Sequence, residues 1–193
     1  MKHASTYSEQ SKREPPWCAQ QRYPRAAIPA EVRGWLLDTA SLTRRVRRAC
    51  SGRFQVQVLT QRWQRPEPGE ARTLGLRRGQ FGLVREVQLM CAGRPWVFAR
   101  TVIPPHTLHG GLRHLAHLGN KPLGPVLFTD RTLRRDRVEL ARIVSGQRLF
   151  DAATRRLEIR PAAIWGRRSL FHIGGKRLLV SEIFLPDIAP CKD

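Results

Sequence analysis

The stretch from Ile164 to Pro186, IWGRRSLFHIGGKRLLVSEIFLP, holds two strand patterns joined by Gly174-Gly175. A glycine pair between apolar runs suits a two-residue hairpin turn, so strands are expected over Arg168 to Ile173 and Arg177 to Leu185. Counted by twos, Leu178, Val180, Glu182 and Phe184 share one face, and Leu179, Ser181, Ile183 and Leu185 the other. Glu182 therefore stands in an apolar row. A buried carboxylate is costly unless it is paired, hydrogen-bonded or protonated, so the chain must supply a structural partner or a ligand.

The rest of the chain extends the same architecture. Phe54 to Thr60 alternates like a half-buried strand, and a polar loop follows from Gln61 to Gln80. Phe81 to Met90 and Trp96 to Ile103 predict an antiparallel hairpin across the turn Cys91 to Pro95. Asp136 to Val144 is a further strand, with Val138, Leu140, Arg142 and Val144 on one side. Helical spacing occurs in two short pieces between Ile28 and Gly52, broken near Thr39, with Ser41 as a cap. Leu108, Leu112, Leu115 and Leu118 mark another helix, closed by Gly119; Asn120 to Pro125 is a rigid loop. Ser145 to Ala163 reads as a loop with one helical turn. Hairpins and short helices without a βαβ rhythm give an antiparallel α+β domain. Residues 1–25, with Pro15, Pro16 and Pro24, predict a flexible tail whose Trp17 and Tyr23 can touch the domain, which occupies 26–193.

Composition narrows the function. The chain has 193 residues and is 41% hydrophobic, enough for one domain with a proper core. Its 35 Lys and Arg against 15 Asp and Glu give a formal charge of +20, which favours an anionic partner, polymeric or small. The basic residues are scattered through strands, helices and loops rather than gathered in runs or interleaved with aromatics, so no nucleic acid is expected. The four cysteines form no CxxC pair, and neither a signal peptide nor an apolar run of spanning length is visible. The expectation is a soluble, reduced, cytoplasmic protein. His114 and His117 lie three apart, but no acid lies nearby to orient them, so no metal is expected.

Arg85 is the second charge in an apolar row, flanked at spacing two by Phe81, Leu83, Val87 and Leu89. Arg100 shares its face with Trp96, Phe98 and Val102. Two readings stay open. Arg85 and Glu182 either bridge to each other or to neighbours in the core, or they border an enclosed pocket. In such a pocket a guanidinium receives a carboxylate and the glutamate faces a hydroxyl.

The segments GRPWVFARTVIP, LGNKPLGPVLF, IWGRRSLF and GKRLLVSEIFLP, with LVREV, resemble the chorismate pyruvate-lyase family in the same order along the chain. The likeness covers most of Ile28 to Pro186; Ser145 to Ala163 is longer than the family's usual connection, and Pro125 stands where the family can carry a basic residue. The resemblance implies a monomeric single antiparallel sheet with helical flaps over an internal site. It also implies removal of pyruvate from chorismate to give 4-hydroxybenzoate for ubiquinone synthesis, without a cofactor. By motif, Arg85 in LVREV matches the arginine that holds the ring carboxylate, and Glu182 in SEIFLP the glutamate that meets the ring hydroxyl. Leu123 and Leu42 match flap positions, and Arg100 is a weaker candidate for the enolpyruvyl carboxylate. The rivals are a non-enzymatic effector-binding domain of the same fold, for which residues 1–25 are too short to add a helix-turn-helix, and a basic nucleic-acid-binding protein.

Overall fold

The computed structural model describes residues 13–190. Seven strands form one sheet in the order β1-β5-β6-β7-β4-β3-β2, with every neighbouring pair antiparallel. They are β1 (Cys18–Ala19), β2 (Phe54–Gln64), β3 (Gly82–Cys91), β4 (Arg94–Ile103), β5 (Arg134–Val144), β6 (Ala163–Ile173) and β7 (Lys176–Phe184). The helices are α1 (Ala30–Leu37), α2 (Leu42–Ala49), α3 (Pro68–Leu74), α4 (Leu123–Phe128) and α5 (Arg148–Thr154). The expected α+β architecture is therefore present, with each sheet face buried under different helices.

On one face, Trp35 and Leu36 of α1 and Leu42 and Val46 of α2 pack with Val87, Leu89, Leu140 and Phe184. Beside them Leu115 and Leu118, from a 3₁₀ segment and its exit, join Leu123 and Leu127 of α4 over Leu83, Phe171, Leu178 and Val180. On the opposite face Phe150 and Ala153 of α5 cover Phe98, Ala141, Ile143 and Ile183, and Leu74 of α3 covers Val84, Val102 and Leu179. Fully burying a large aliphatic or aromatic side chain contributes about 1.5–3 kcal/mol, so these two layers hold the helices in place far more strongly than local propensity does. Gly166 makes room for the apolar side chains of its neighbouring strands. A side chain there would meet Ile183 Cδ1 at 2.5 Å and the Glu182 carbonyl at 3.2 Å.

Several expectations change. Gln61 to Gln80 is not simply a loop: β2 continues to Gln64, and α3 follows, started by a reciprocal capping box between Glu67 and Glu70 and stopped by Gly75 at φ 70°. The leucines from 108 to 118 lie on two 3₁₀ segments, Pro105–Leu108 and Gly110–His117, and the Asn120 to Pro125 loop runs into α4. Ser41 occupies the N-cap position of α2, but its hydroxyl makes no capping bond. A register shift between Leu89 and Met90 bulges β4 at Trp96, which joins the cluster under α1 instead of sharing a face with Phe98 and Arg100.

From residue 13 the predicted tail is attached to the domain. Cys18 and Ala19 pair with Leu140 and Glu139, Arg168 lies over the Trp17 ring, and Tyr23 meets Trp165 edge-on. Residues 1–12 lie outside the described residues. The expectation of reduced thiols is also corrected, because Cys50 and Cys91 form a disulfide with Cα atoms 5.6 Å apart. Their separation of 41 residues concealed this in the sequence. The pairing of Phe54 with Cys91 carries the end of α2 onto the end of β3. Cys18 is a free thiol, and Cys191 lies outside the described residues. No helix among the described residues is long and apolar enough to cross a membrane.

Candidate active site

Strand register decides which charges meet. A two-residue turn pairs Ile173 with Lys176, and counting back along the hairpin sets Arg167 opposite Glu182. Glu182 in turn faces Ala99 on β4, which faces Val87 on β3. The next row on this side is Ser169, Val180, Thr101 and Arg85. Arg85 and Glu182 thus occupy neighbouring rows of one sheet face, beneath α2 and α4.

Between sheet and covering helices lies a cavity of about 50 Å³. Arg85, Arg135 and Glu182 line it with Leu42 and Thr43 of α2 and Leu123, Gly124, Leu127 and Phe128 of α4. Sequence reasoning proposed Leu42, Arg85, Leu123 and Glu182, and the fold brings all four to this space. The two covers touch directly. A Cβ at Gly124 would stand 3.1 Å from both Ser41 Oγ and Thr43 Oγ1, so glycine permits the approach.

Arg100 does not join them. Its side chain lies on the opposite face, where Nε and Nη2 donate to Glu70 at 2.7 and 3.0 Å and Nη1 donates to Glu86 at 2.6 Å. Even and odd residues of a strand point to opposite faces, so Arg100 cannot share a pocket with Ala99 and Thr101. The placement of Arg100 against a ligand beside Arg85 and Glu182 is therefore corrected. Burial works against the charge on Arg100, but the two carboxylates outweigh it and hold the guanidinium more firmly protonated than in water.

Arg85 is a different case. It is 2% exposed, yet its Nη2 donates only to the carbonyls of Gly119 and Lys121, at 2.9 and 3.0 Å, and its Nε is buried without a partner. Burial lowers its pKa with no opposing carboxylate. Carbonyl oxygens satisfy donors without neutralising charge, so the site retains an unmatched cation.

Glu182 finds its counter-ion in Arg167, whose Nε donates to Oε2 at 2.5 Å. Arg167 is wholly buried, and its Nη1 donates to the carbonyls of Trp35, at 3.0 Å, and of Asp38. One residue therefore ties the glutamate to the end of α1. Sequence reasoning missed it by starting the strand at Arg168, although the two-residue turn already implied the pairing. It missed Arg135 too, because the strand was begun at Asp136. Asp136 and Arg137 form a bulge between the pairs Arg135–Phe171 and Val138–Ser169, which puts Arg135 on the cavity face.

Three guanidiniums, Arg85, Arg135 and Arg167, thus stand against the single carboxylate of Glu182. Asp38 is engaged elsewhere, its carboxylate pairing with Arg45 at 2.8 Å. Burial raises the Asp38 pKa, but the Ala40 amide and the Arg45 and Arg167 charges more than reverse this and hold it below the usual carboxylate range. The arrangement suits a small ligand with two negative charges and a hydroxyl. Among the described residues no three His, Cys, Asp or Glu side chains converge as metal ligands would.

The chorismate lyase family model matches residues 19–190. A protein of Aromatoleum aromaticum named as a probable chorismate pyruvate-lyase is 45% identical over 173 residues, covering 87% of this chain and 91% of the relative. One from Azoarcus sp., named likewise, is 45% identical over 181 residues, covering 92% and 94%. Among solved structures, the PhnF C-terminal domain superposes with a TM-score of 0.55 at 16% identity, covering 73% of this chain and 87% of that one. A GntR-family transcriptional regulator from Bacillus cereus gives 0.53 at 10% identity, covering 72% and 96%; these two share the fold. With the match spanning nearly all of the described sheet and both covers of the cavity, the chain belongs to the chorismate lyase family.

Proposed function

We propose that the cavity binds chorismate and that the protein is a chorismate pyruvate-lyase, releasing pyruvate and 4-hydroxybenzoate for ubiquinone synthesis. The observation that carries this reading is Arg85, a desolvated guanidinium held only by carbonyls in the same cavity as a glutamate that its own arginine already orients. A ring carboxylate on Arg85 supplies the missing counter-charge, and the ring hydroxyl donates to Glu182.

The chemistry asks little of the protein. The ether bond between ring carbon and oxygen breaks, the hydrogen on the hydroxyl-bearing carbon leaves, and the ring becomes aromatic. The released enolpyruvate gains a proton at its methylene carbon and becomes pyruvate. Aromatisation drives the reaction, so the protein orients the dianion, excludes water and stabilises charge on the departing oxygen. Leu42 and Leu123 open α2 and α4, where backbone amides have no intrahelical acceptor and face anions favourably.

A cavity of about 50 Å³ admits only a few waters, at roughly 10–15 Å³ each. Binding therefore requires α2 and α4 to part, and product leaves only when they part again. The formal charge of +20 speeds capture of an anionic substrate. The test is to incubate the protein with chorismate and measure 4-hydroxybenzoate and pyruvate. Equimolar appearance of both is expected; folded protein that leaves chorismate unchanged would overturn the reading.

A further inference from the structure

Chorismate carries two carboxylates, and the reading above gives a receiver to one. Arg100, the sequence candidate for the other, is spent on Glu70 and Glu86 across the sheet. We propose that Arg135 receives the enolpyruvyl carboxylate and is the residue that separates the dianionic substrate from the monoanionic product. This deepens the chorismate reading and rests on it.

Three observations carry the assignment. Arg135 lines the same cavity as Arg85 and Glu182, placed there by the β5 bulge. The two arginines stand on β5 and β3 with β6, β7 and β4 between them. About 19 Å of sheet thus separates their backbones, and both long side chains reach inward from opposite sides. Next, its donors are underused. Nη1 reaches only backbone carbonyls, Thr39 at 3.1 Å and Asp38 at 3.5 Å, and Nε is buried without a partner. Finally, the guanidinium is already oriented, lying 4.9 Å from the Phe171 ring centroid and 5.9 Å from that of Phe128. A planar group stacked in this way presents its N–H edge to a carboxylate with little freedom left to lose.

The charged neighbours favour the same outcome. Burial and the Arg167 charge both push the Arg135 pKa down, against weaker opposition from Glu182 and Asp38. Glu182 is claimed by Arg167 and Asp38 by Arg45, so an incoming anion is the ligand that relieves Arg135. After the ether bond breaks, this second charge departs with pyruvate, and 4-hydroxybenzoate keeps only the contacts at Arg85 and Glu182.

The experiment compares wild type, Arg135→Gln and Arg135→Lys, measuring KM for chorismate and Kd for 4-hydroxybenzoate. A hydrogen bond to a charged group contributes about 1.5–3 kcal/mol, which converts to a roughly 10–150-fold rise in KM for Arg135→Gln. The affinity for 4-hydroxybenzoate is expected to stay at the wild-type value. Arg135→Lys, which retains the charge but not the planar N–H fork over Phe171, is expected to show a smaller rise in KM with the same unchanged product affinity. It decides the matter should the glutamine variant fail to fold. Equal weakening of substrate and product would mark Arg135 as scaffold and overturn the proposal, as would an unchanged KM. Failure of the wild type to convert chorismate is a separate result, which removes the underlying reading before any variant is compared.

Discussion

Two buried arginines sit fifteen positions apart on adjacent strands of one sheet, and they do opposite things. Arg100, on the face covered by α3 and α5, meets two carboxylates, so its charge is matched even though the trio lines a wide cleft of about 1090 Å³. Arg85, on the face covered by α2 and α4, meets only carbonyls and borders a cavity. Both are charges in apolar rows, so burial alone does not distinguish a site from a scaffold. The partner does. A guanidinium whose charge is matched holds the fold, whereas one whose donors are partly met and whose charge is not is prepared for an anion.

Substitution by methionine should separate the two faces. Arg100→Met leaves the buried Glu70 and the half-buried Glu86 without their shared cation, and breaking a buried pair by removing one partner costs about 3–5 kcal/mol. Chemical denaturation is expected to show a loss of this size, and a change within error would dissolve the contrast. Arg85→Met removes a cation that has no carboxylate but leaves the Gly119 and Lys121 carbonyls without their donor, so the stability loss is expected to be about 1–3 kcal/mol, below that of Arg100→Met. Affinity for 4-hydroxybenzoate should nonetheless fall by roughly 10–150-fold, the worth of a charge-assisted contact; calorimetric titration reads this directly. The smallest effect is expected from Gly124→Ala, which pushes a methyl against Ser41 and Thr43 where the covers meet. Overpacking of this kind costs about 1–3 kcal/mol in a tight core and less where a cover can yield. A modest rise in KM with little loss of folding stability would sharpen the view that α2 and α4 move.

The sheet was readable because its strands alternate and its hairpins are marked by Gly174-Gly175 and by the turn at Ala92-Gly93. The α3 helix was less readable, since Pro68 and Gly69 look like a loop and only the Glu67–Glu70 spacing hints at a capping box. The site divides similarly. Arg85 and Glu182 stand out as charges among apolar neighbours, and Arg167 was available to anyone who carried the hairpin register six residues back from the turn. Arg135 was hidden by an irregularity, because a bulge changes the face of every residue beyond it and LRRDR gives no sign of one. Arg100 misled for the converse reason. Its partner Glu70 lies 30 residues away in a helix that periodicity did not reveal, so its charge looked available when it was not.

The most direct measurement is a crystal structure of the protein with 4-hydroxybenzoate. The account predicts the ring in the cavity under α2 and α4, its carboxylate on the Arg85 guanidinium and its hydroxyl on Glu182, with the Arg100–Glu70–Glu86 cluster intact. Ligand bound beside Arg100 on the other face, with none in the Arg85 cavity, would contradict it.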